Sequence, residues 1–313
     1  MIVIENPCFD PYYNQAFEEY AFERLAPAEG ALMLWRNDPA VVCGCYQNVY
    51  AEVNLPRAAE LGVAVVRRES GGGAVYHDRG NINYTFIVPP GEDAGYAALI
   101  EPVAAALNRL GIPAAMNRAS DIAVNGLKVS GSAQKVKKDR VLHHGTLLYD
   151  TDLTRLHELA DGQRGRFATK GVKSSPWPVA NMRALLGPGA PDAEAFAALL
   201  LAQLAPGERP VRLTSADEVA IRALADEKYR AWAWTCGRSP AFEHEAVFLL
   251  GNLPVTLKYA ARRGVIESIA FDARLPALDE AARRLTGAEL EMNAVRARLE
   301  GLDGLETLWR ELF

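Results

Sequence analysis

The alternation of hydrophobic and polar residues along the chain predicts an α+β protein. Short apolar runs of strand length lie between longer segments whose apolar residues recur at helical spacing. The predicted strands are residues 31–35, 40–44, 63–67, 84–88, 245–250, 255–260 and 265–271. The predicted helices are residues 14–25 (with Asn14 as the N-terminal cap), 94–110, 193–204 and 216–229, followed by two helices that close the chain.

A hairpin is predicted over residues 121–133. A central Asn-Gly dipeptide, typical of a two-residue hairpin turn, separates two apolar runs. On the returning strand, alternation directs Leu127 and Val129 to the core and directs Lys128 and Ser130 to the opposite face. A lysine fixed on a rigid strand suits an oxygen-rich ligand, although an exposed strand lysine is more often only a solubilising charge.

A glycine triplet at residues 71–73 directly follows a predicted strand. Residues without a Cβ let the backbone turn sharply and expose N–H groups, which suit phosphate or carboxylate oxygens. Arg67 or Arg68 could add a planar charged fork. The triplet has neither the Walker A pattern nor the spacing of a dinucleotide fingerprint. The many polar residues around it favour a binding site over a purely structural turn.

The histidines and cysteines do not form a metal-binding pattern. His143 and His144 are adjacent at the start of a strand-like run and would point to opposite faces, which argues against one metal ion binding both. Packing or backbone hydrogen bonding is the expectation for each. The cysteines lack zinc-finger spacing and are expected to be reduced thiols. These are Cys8, Cys43, Cys45 and Cys236.

Composition and charge narrow the class of protein. The chain has 313 residues, 50% of them hydrophobic, which is enough for a sizeable core. No apolar stretch reaches the ~18–20 residues that span a bilayer, and no export signal is visible, so a cytoplasmic location is expected. The net charge of −5 argues against a general nucleic-acid binder. Residues 118–173 nevertheless carry eleven Lys/Arg and six Asp/Glu, which suggests an anionic substrate or an acidic partner.

Together these segments resemble the lipoate–protein ligase A family, part of the biotin and lipoate ligase superfamily, over nearly the whole chain. The matching segments include RRESGGGAVYHDRGN at 67–81, KVSGSA at 128–133, HHGTLL at 143–148 and GVKSSPWPVANM at 171–182. The resemblance implies a catalytic domain with a mixed β-sheet and flanking helices over residues 1–228. It also implies a small α+β accessory domain over residues 235–313.

The resemblance further implies an activity and its partners. The enzyme would activate lipoate with ATP to lipoyl-AMP and would transfer the lipoyl group to a lysine of a carrier domain. The implied acceptors are lipoyl domains of 2-oxoacid dehydrogenase E2 subunits and the glycine-cleavage H protein. Mg²⁺ would accompany ATP. A monomer that binds neither nucleic acid nor membrane is expected.

Single residues receive roles from the same resemblance. Lys128 would contact the lipoate carboxylate and the α-phosphate, and Asp121 would be the residue linked to magnesium. The implied ATP-binding residues are Arg68, Gly73, Ala74, Val75, Tyr76 and Lys128. The implied lipoate-binding residues are Gly71, Gly72 and Lys128.

The chain departs from the family pattern at several positions. The family often has an arginine in place of Cys45, Arg-Asn in place of Ala119-Ser120, and arginines in place of Pro176 and Pro178. Each change removes a charged donor near the implied phosphate path. The neighbouring cations that could replace them are Lys170, Lys173 and Arg118.

Other functions fit the sequence less well. An ATP-independent lipoyl or octanoyl amidotransferase of the same fold would take its acyl group from a carrier protein. Relay forms need a cysteine thiolate near the acyl site, and neither Cys43 nor Cys45 has the expected position. A form that lacks adenylation is favoured only by the missing arginines. Biotin ligation fits KVSGSA and the accessory domain poorly, and a purely binding role has no positive support.

The basic middle segment leads to a prediction about salt. If it steers an acidic lipoyl domain, transfer to that domain should slow as salt rises, because screening weakens long-range attraction. Formation of lipoyl-AMP should barely change. Rates of the two half-reactions measured over a salt series would test this, and equal salt sensitivity would contradict it.

Overall fold

The computed structural model describes residues 1–160, 166–175 and 177–313. Pro176, one of the departures from the family pattern, lies outside these residues. The described strands are β1 (Ile2–Val3), β2 (Ala31–Trp35), β3 (Ala40–Cys43), β4 (Ala64–Arg67), β5 (Val75–His77), β6 (Asn81–Val88), β7 (Ala114–Asn117), β8 (Asp121–Val124), β9 (Leu127–Val136), β10 (Val141–Leu148), β11 (Phe167–Thr169), β12 (Phe242–Leu250), β13 (Leu253–Arg262) and β14 (Val265–Phe271).

The strands form mixed sheets. The largest sheet has the order β1-β2-β6-β10-β9-β8-β7 and is antiparallel except where β1 pairs with β2. A smaller sheet has the order β4-β3-β5, with β3 parallel to β4 and antiparallel to β5. These mixed sheets, together with the helices, confirm the predicted α+β fold.

Helices cover both faces of the large sheet, so its inner strand β6 is buried over nearly its whole length. The helices are α1 (Pro11–Tyr20), α2 (Val49–Glu52), α3 (Leu55–Glu60), α4 (Tyr96–Arg109), α5 (Leu153–Ala160), α6 (Ala193–Leu204), α7 (Ser215–Leu224), α8 (Trp232–Thr235), α9 (Pro276–Leu285) and α10 (Met292–Leu299). One face packs against α4 and α6, and the other packs against α1 and α7. In the described ranges, no helix is both long and apolar enough to cross a membrane.

Three elements have the same bounds in the structure as in the prediction. They are the strands at 31–35 and 265–271 and the helix at 193–204. Two predicted helices are observed as an α-helix that ends in a π-helical turn. The π-helical turns are Ala21–Leu25 and Ala225–Tyr229.

The predicted cap of the first helix is wrong. Helix α1 begins at Pro11, one turn before the predicted start, and Asp10 is its N-terminal cap. The Asp10 side chain accepts a hydrogen bond from the N–H of Tyr12 at 3.0 Å. Proline suits the first position of a helix because its missing N–H would have no partner there. Asn14 is instead buried inside the helix, with a role described below.

The C-terminal part contains an antiparallel sheet, β11-β12-β13-β14. Its first strand comes from the part of the chain assigned to the catalytic domain. The two parts also share an apolar core, in which the rings of Tyr50 and Phe242 lie 5.3 Å apart. The Tyr50 hydroxyl donates to the Leu290 carbonyl at 2.9 Å. The division into domains at 228 and 235 stays a prediction.

Arg67 joins these parts by hydrogen bonds. Its side chain is fully buried, which lowers the pKa of the guanidinium. Nη1 donates to the carbonyl oxygens of Gly44 and Gln47 at 3.0 and 2.8 Å. Nε donates to the Thr235 carbonyl at 2.8 Å, and Nη2 donates to the Ser239 hydroxyl at 3.2 Å. One side chain thus connects the loop after β3 to the segment before β12.

Replacing Arg67 should destabilise the protein strongly. Arg67→Met keeps much of the side-chain length but leaves several buried carbonyl oxygens without donors. The free energy of unfolding should fall by about 3 kcal/mol or more. Urea denaturation measures this change. Arg212, whose side chain is 86% exposed, provides the control, because Arg212→Met should have little effect. Equal effects of the two substitutions would contradict the prediction.

Candidate active site

The glycine triplet forms an irregular loop between β4 and β5. Gly72 has a φ of 87°, a left-handed conformation that glycine adopts without strain. A Cβ on Gly72 would lie 3.0 Å from Nη2 of Arg68. A Cβ on Gly44 would lie only 2.2 Å from the Gly72 carbonyl oxygen. The loop therefore packs backbone against backbone at the end of β3, where a side chain does not fit.

Arg68 holds this loop in shape. Its Nη2 donates to the carbonyl oxygens of Gly71 and Gly73 at 2.5 and 2.8 Å. Nη1 donates to the Val42 carbonyl at 2.9 Å, and Nε donates to the Ser70 hydroxyl at 3.0 Å. Burial lowers the pKa of the guanidinium. Arg68 also lines the cavity described below, and its role as an ATP ligand stays a prediction.

The predicted hairpin is formed by β8 and β9, with one irregularity. A β-bulge leaves Val129 without a directly opposed partner, so that Lys128 and Ser130 pair with successive residues of β8. Both of these side chains line the cavity, on the face that alternation predicted. The prediction for Leu127 is wrong, because this residue directly follows the turn at the end of the sheet and is 40% exposed. Val129 is buried as predicted.

Lys128 is fixed by both its backbone and its amine. Its N–H donates to the Pro178 carbonyl at 2.9 Å, and its carbonyl accepts from the N–H of Ala180 at 3.0 Å. Nζ lies 2.9 Å from Oδ1 of the buried Asp121. A Cβ on Gly131 would lie 2.9 Å from this Nζ. A glycine at position 131 therefore leaves the space that the amine occupies.

Two adjoining cavities meet at Lys128. The first, here called the Trp35 compartment, is also lined by Trp35, Val42, His77 and His144. The second, here called the Trp177 compartment, is also lined by Tyr76, Leu148, Trp177 and Val179. The residues that line both compartments are Ala74, Val75, Lys128, Gly131, Thr146, Ser174 and Ser175.

Most of the residues singled out in the sequence come together around these compartments. Those that line the Trp35 compartment are Arg68, Gly72, Gly73, Ala74, Val75, Asp121 and Lys128. Tyr76 lines the Trp177 compartment instead. Gly71 is outside the lining of both, and a Cβ on it would lie 3.7 Å from the ring of Tyr46.

The sequence did not predict a buried chain of hydrogen bonds that lies behind the Trp35 compartment. His144 contacts Ser70 Oγ through Nε2 at 2.6 Å and Glu18 Oε1 through Nδ1 at 2.8 Å. The Thr85 hydroxyl donates to Glu18 at 2.7 Å and accepts from Nε1 of Trp35 at 3.0 Å. His144 thus joins a side-chain network, which corrects the expectation of packing or backbone bonding. Of these residues, Ser70 and His144 lie in the matched segments 67–81 and 143–148, whereas Glu18, Thr85 and Trp35 had no predicted role.

Asn14 belongs to a second network, which determines which ring nitrogen of His77 carries the proton. Asn14 Nδ2 donates to the carbonyl oxygens of Cys8 and Arg36 at 3.0 and 2.9 Å and faces Asn37 Oδ1 at 2.7 Å. Asn37 therefore turns its Nδ2 towards His77 Nδ1, at 3.0 Å. His77 accepts there, so its proton is on Nε2. Burial lowers the pKa of His77 to about 3, which keeps the ring neutral.

Solved structures with the same fold include several ligases. P. falciparum LipL1 in complex with lipoate has a TM-score of 0.63 and 21% identity, and the match covers 99% of each chain. A lipoate–protein ligase A bound with ATP has a TM-score of 0.61 and 23% identity, over 76% of this chain and 98% of that one. A bipartite lipoate protein ligase of Thermoplasma acidophilum, studied with its E2 lipoyl domain, has a TM-score of 0.62 and 22% identity, over 76% and 96%. The chain therefore has the biotin and lipoate ligase fold.

Sequence comparisons narrow this class to a family. The model of the lipoyl protein ligase A/B catalytic domain matches residues 10–205. The lipoate–protein ligase LplJ of Bacillus subtilis is 33% identical over 97% of this chain and 95% of its own length. Lipoate–protein ligase 1 of Staphylococcus aureus is 36% identical over 85% of this chain and 82% of its own length. The chain belongs to the lipoate–protein ligase family.

The space beside Lys128 leads to a prediction for Gly131. The added methyl group of Gly131→Ala would lie 2.9 Å from Nζ of Lys128 and 3.7 Å from Oδ1 of Asp121. It should push the lysine amine aside without unfolding the chain. We expect formation of lipoyl-AMP to slow about 10-fold or more, with a nearly unchanged melting temperature. Gly189→Ala is the matched control, since its Cβ meets no atom within 4 Å. Wild-type rates in Gly131→Ala would contradict this placement of the lysine.

Proposed function

We propose that this chain is a complete ATP-dependent lipoate–protein ligase, which forms lipoyl-AMP and then transfers the lipoyl group to a lysine of a lipoyl domain. The observation that carries the proposal is the position of Lys128 where two compartments meet beside the glycine loop. An adenylating enzyme must hold a carboxylate and an α-phosphate next to one another. A single cation at the junction serves both groups.

The compartments differ in a way that suggests which substrate each one takes. Trp35 and Val42 give the Trp35 compartment apolar surface for the lipoyl chain. Tyr76 and Leu148 line the Trp177 compartment, together with part of the run 73–76 that the family resemblance assigns to ATP. Lipoate would occupy the first compartment and the nucleotide the second, with the reacting groups at Lys128. In this assignment Gly72 borders lipoate, and Arg68 and Gly73, which the resemblance assigns to ATP, line the lipoate compartment as well.

The chemistry requires no protein nucleophile. A carboxylate oxygen of lipoate attacks the α-phosphorus of ATP, and the bond to the β-phosphate breaks to release pyrophosphate. The Nζ of Lys128 stabilises the negative charge on the attacking carboxylate and on the α-phosphate. The amine of the acceptor lysine then attacks the acyl carbon and loses a proton, and AMP leaves. The mixed anhydride is already the activated acyl donor.

We also propose that Asp121 serves as a ligand of Mg²⁺, the ion that would balance the phosphate charge of ATP. Magnesium in such sites binds one or two carboxylates, substrate phosphates and water. Asp121 provides one carboxylate on the cavity wall, and its contacts with Lys128 and Ser120 both fall on Oδ1. The described residues include no cluster of three His, Cys, Asp or Glu that could hold a metal. Oxygens of ATP and water would supply the remaining ligands.

The amidotransferase alternative finds less support. A cysteine relay needs an accessible thiolate beside the acyl group. In the described part of the chain, neither compartment is lined by a cysteine. Burial raises the pKa of Cys43 to about 11 and that of Cys236 to about 12. Burial also raises the pKa of Cys45, so these thiols favour their protonated, unreactive forms.

The partners follow from the same proposal. One neighbour of this fold was studied with its E2 lipoyl domain, so a lipoyl domain is the natural acceptor. Acceptance of the glycine-cleavage H protein, a monomeric state and a cytoplasmic location are further parts of the proposal. So is the division into a catalytic domain of residues 1–228 and an accessory domain of residues 235–313.

Lys128 provides a direct test of the adenylation step. Lys128→Met keeps the aliphatic stem but removes the charge, so lipoate-dependent exchange of labelled pyrophosphate into ATP should fall by about 100-fold or more. Lys138, an exposed lysine outside the cavity, provides the matched control. Lys138→Met should exchange at the wild-type rate. Undiminished exchange by Lys128→Met would overturn the assigned role, and absence of exchange by the wild type would overturn the proposed adenylation.

A further inference from the structure

A stacked pair of side chains, Arg118 and Trp177, lies at the wall of the Trp177 compartment. The guanidinium carbon of Arg118 is 3.9 Å from the centre of the Trp177 ring system. The indole lines the cavity and is 38% exposed. With an arginine over one face, the opposite face of the indole is the one available to a flat ligand.

The chain holds this indole close to the reacting groups. Trp177 directly precedes Pro178, whose carbonyl accepts the hydrogen bond from the Lys128 N–H at 2.9 Å. Val179 and Lys128 form a parallel bridge, so the segment runs beside β9. Its register against Lys128 is therefore set by backbone hydrogen bonds. Lys128 and Trp177 line the same compartment, so a nucleotide with its α-phosphate at Lys128 could direct its base to this wall through the ribose.

The backbone at Arg118 is also specialised. This residue lies in the turn between β7 and β8 and has a φ of 57°, in the left-handed region. Residues other than glycine adopt that region infrequently, although asparagine does so more readily. The turn places an arginine over the indole one position before Ala119 and Ser120, where the family often has Arg-Asn. This part of the chain thus still has an arginine, Arg118, but its guanidinium is stacked on an aromatic ring.

We propose that Trp177, supported by Arg118, binds the purine ring of ATP and of lipoyl-AMP by stacking, and that this contact replaces arginines of the family pattern. The proposal rests on the ligase function proposed above. A base stacks on an aromatic face through its π-surface, and such a contact survives the loss of charged groups. Tyr76, Leu148 and Val179 complete an apolar slot around the same ligand. Stacking in this slot holds the base while Lys128 contacts the α-phosphate.

The test compares Trp177→Ala with Trp177→Phe in the lipoylation of a purified lipoyl domain. The KM for ATP should rise about 10-fold in Trp177→Ala, because one base-stacking contact is lost. Trp177→Phe should retain most of the affinity, since it keeps an aromatic face. The KM for lipoate and inhibition by pyrophosphate should be unchanged in both variants, because neither ligand carries a base. A folding defect would alter all of these constants together.

Arg118→Asn tests the supporting residue separately. Asparagine tolerates the left-handed backbone, so the turn should persist while the guanidinium is lost. The KM for ATP should rise by a smaller factor, and combining this change with Trp177→Ala should add little. An unchanged KM for ATP in Trp177→Ala would refute the proposal, as would equal increases for ATP and lipoate. Wild-type protein that fails to use ATP at all would instead refute the ligase function itself.

Discussion

The buried guanidinium groups of Arg67 and Arg68 donate to backbone carbonyl oxygens of two irregular loops. Burying a charge is unfavourable unless hydrogen bonds replace the lost water, and a loop outside a strand ladder has carbonyl groups in need of donors. Here the loop carbonyl oxygens accept from the buried guanidinium groups, so both the donors and the acceptors have partners. A shift of either loop would leave buried donors unpaired, so the loops at 44–47 and 71–73 are held in shape before a ligand binds.

This arrangement determines where charge is available for catalysis. The two arginines are engaged with the backbone, whereas Lys128 extends to the junction of both compartments with one carboxylate beside it. A cation that is already positioned needs little reorganisation when negative charge develops at the α-phosphate. Two of the departures from the family pattern, Ala119 and Pro178, directly follow Arg118 and Trp177 at the wall of the Trp177 compartment. There, the pair of Arg118 and Trp177 provides surface for a base rather than charge for a phosphate.

Sequence periodicity predicted the local elements well and their long-range contacts poorly. The helix at 193–204 and the Asn-Gly hairpin follow from spacing and turn chemistry, which act over a few residues. The bulge at Val129 could not be predicted, because it depends on the pairing of β9 with its neighbours. The bonds from His144 to Glu18 join residues 126 positions apart and depend on the topology of the sheet. The segment at 67–81, which begins with Arg67 and Arg68, indicated a binding site. Only the folded chain reveals that both guanidinium groups bind the backbone.

The central claim is that one chain both activates lipoate and transfers it, although several arginines of the family pattern are absent. Intact-mass measurement of a purified lipoyl domain incubated with this protein, lipoate and Mg²⁺, with and without ATP, tests it most directly. The account predicts that the acceptor gains the mass of one lipoyl group only when ATP is present. An acceptor that stays unmodified with lipoate and ATP, but is modified when synthetic lipoyl-AMP is supplied, would contradict it, because only the transfer step would then remain.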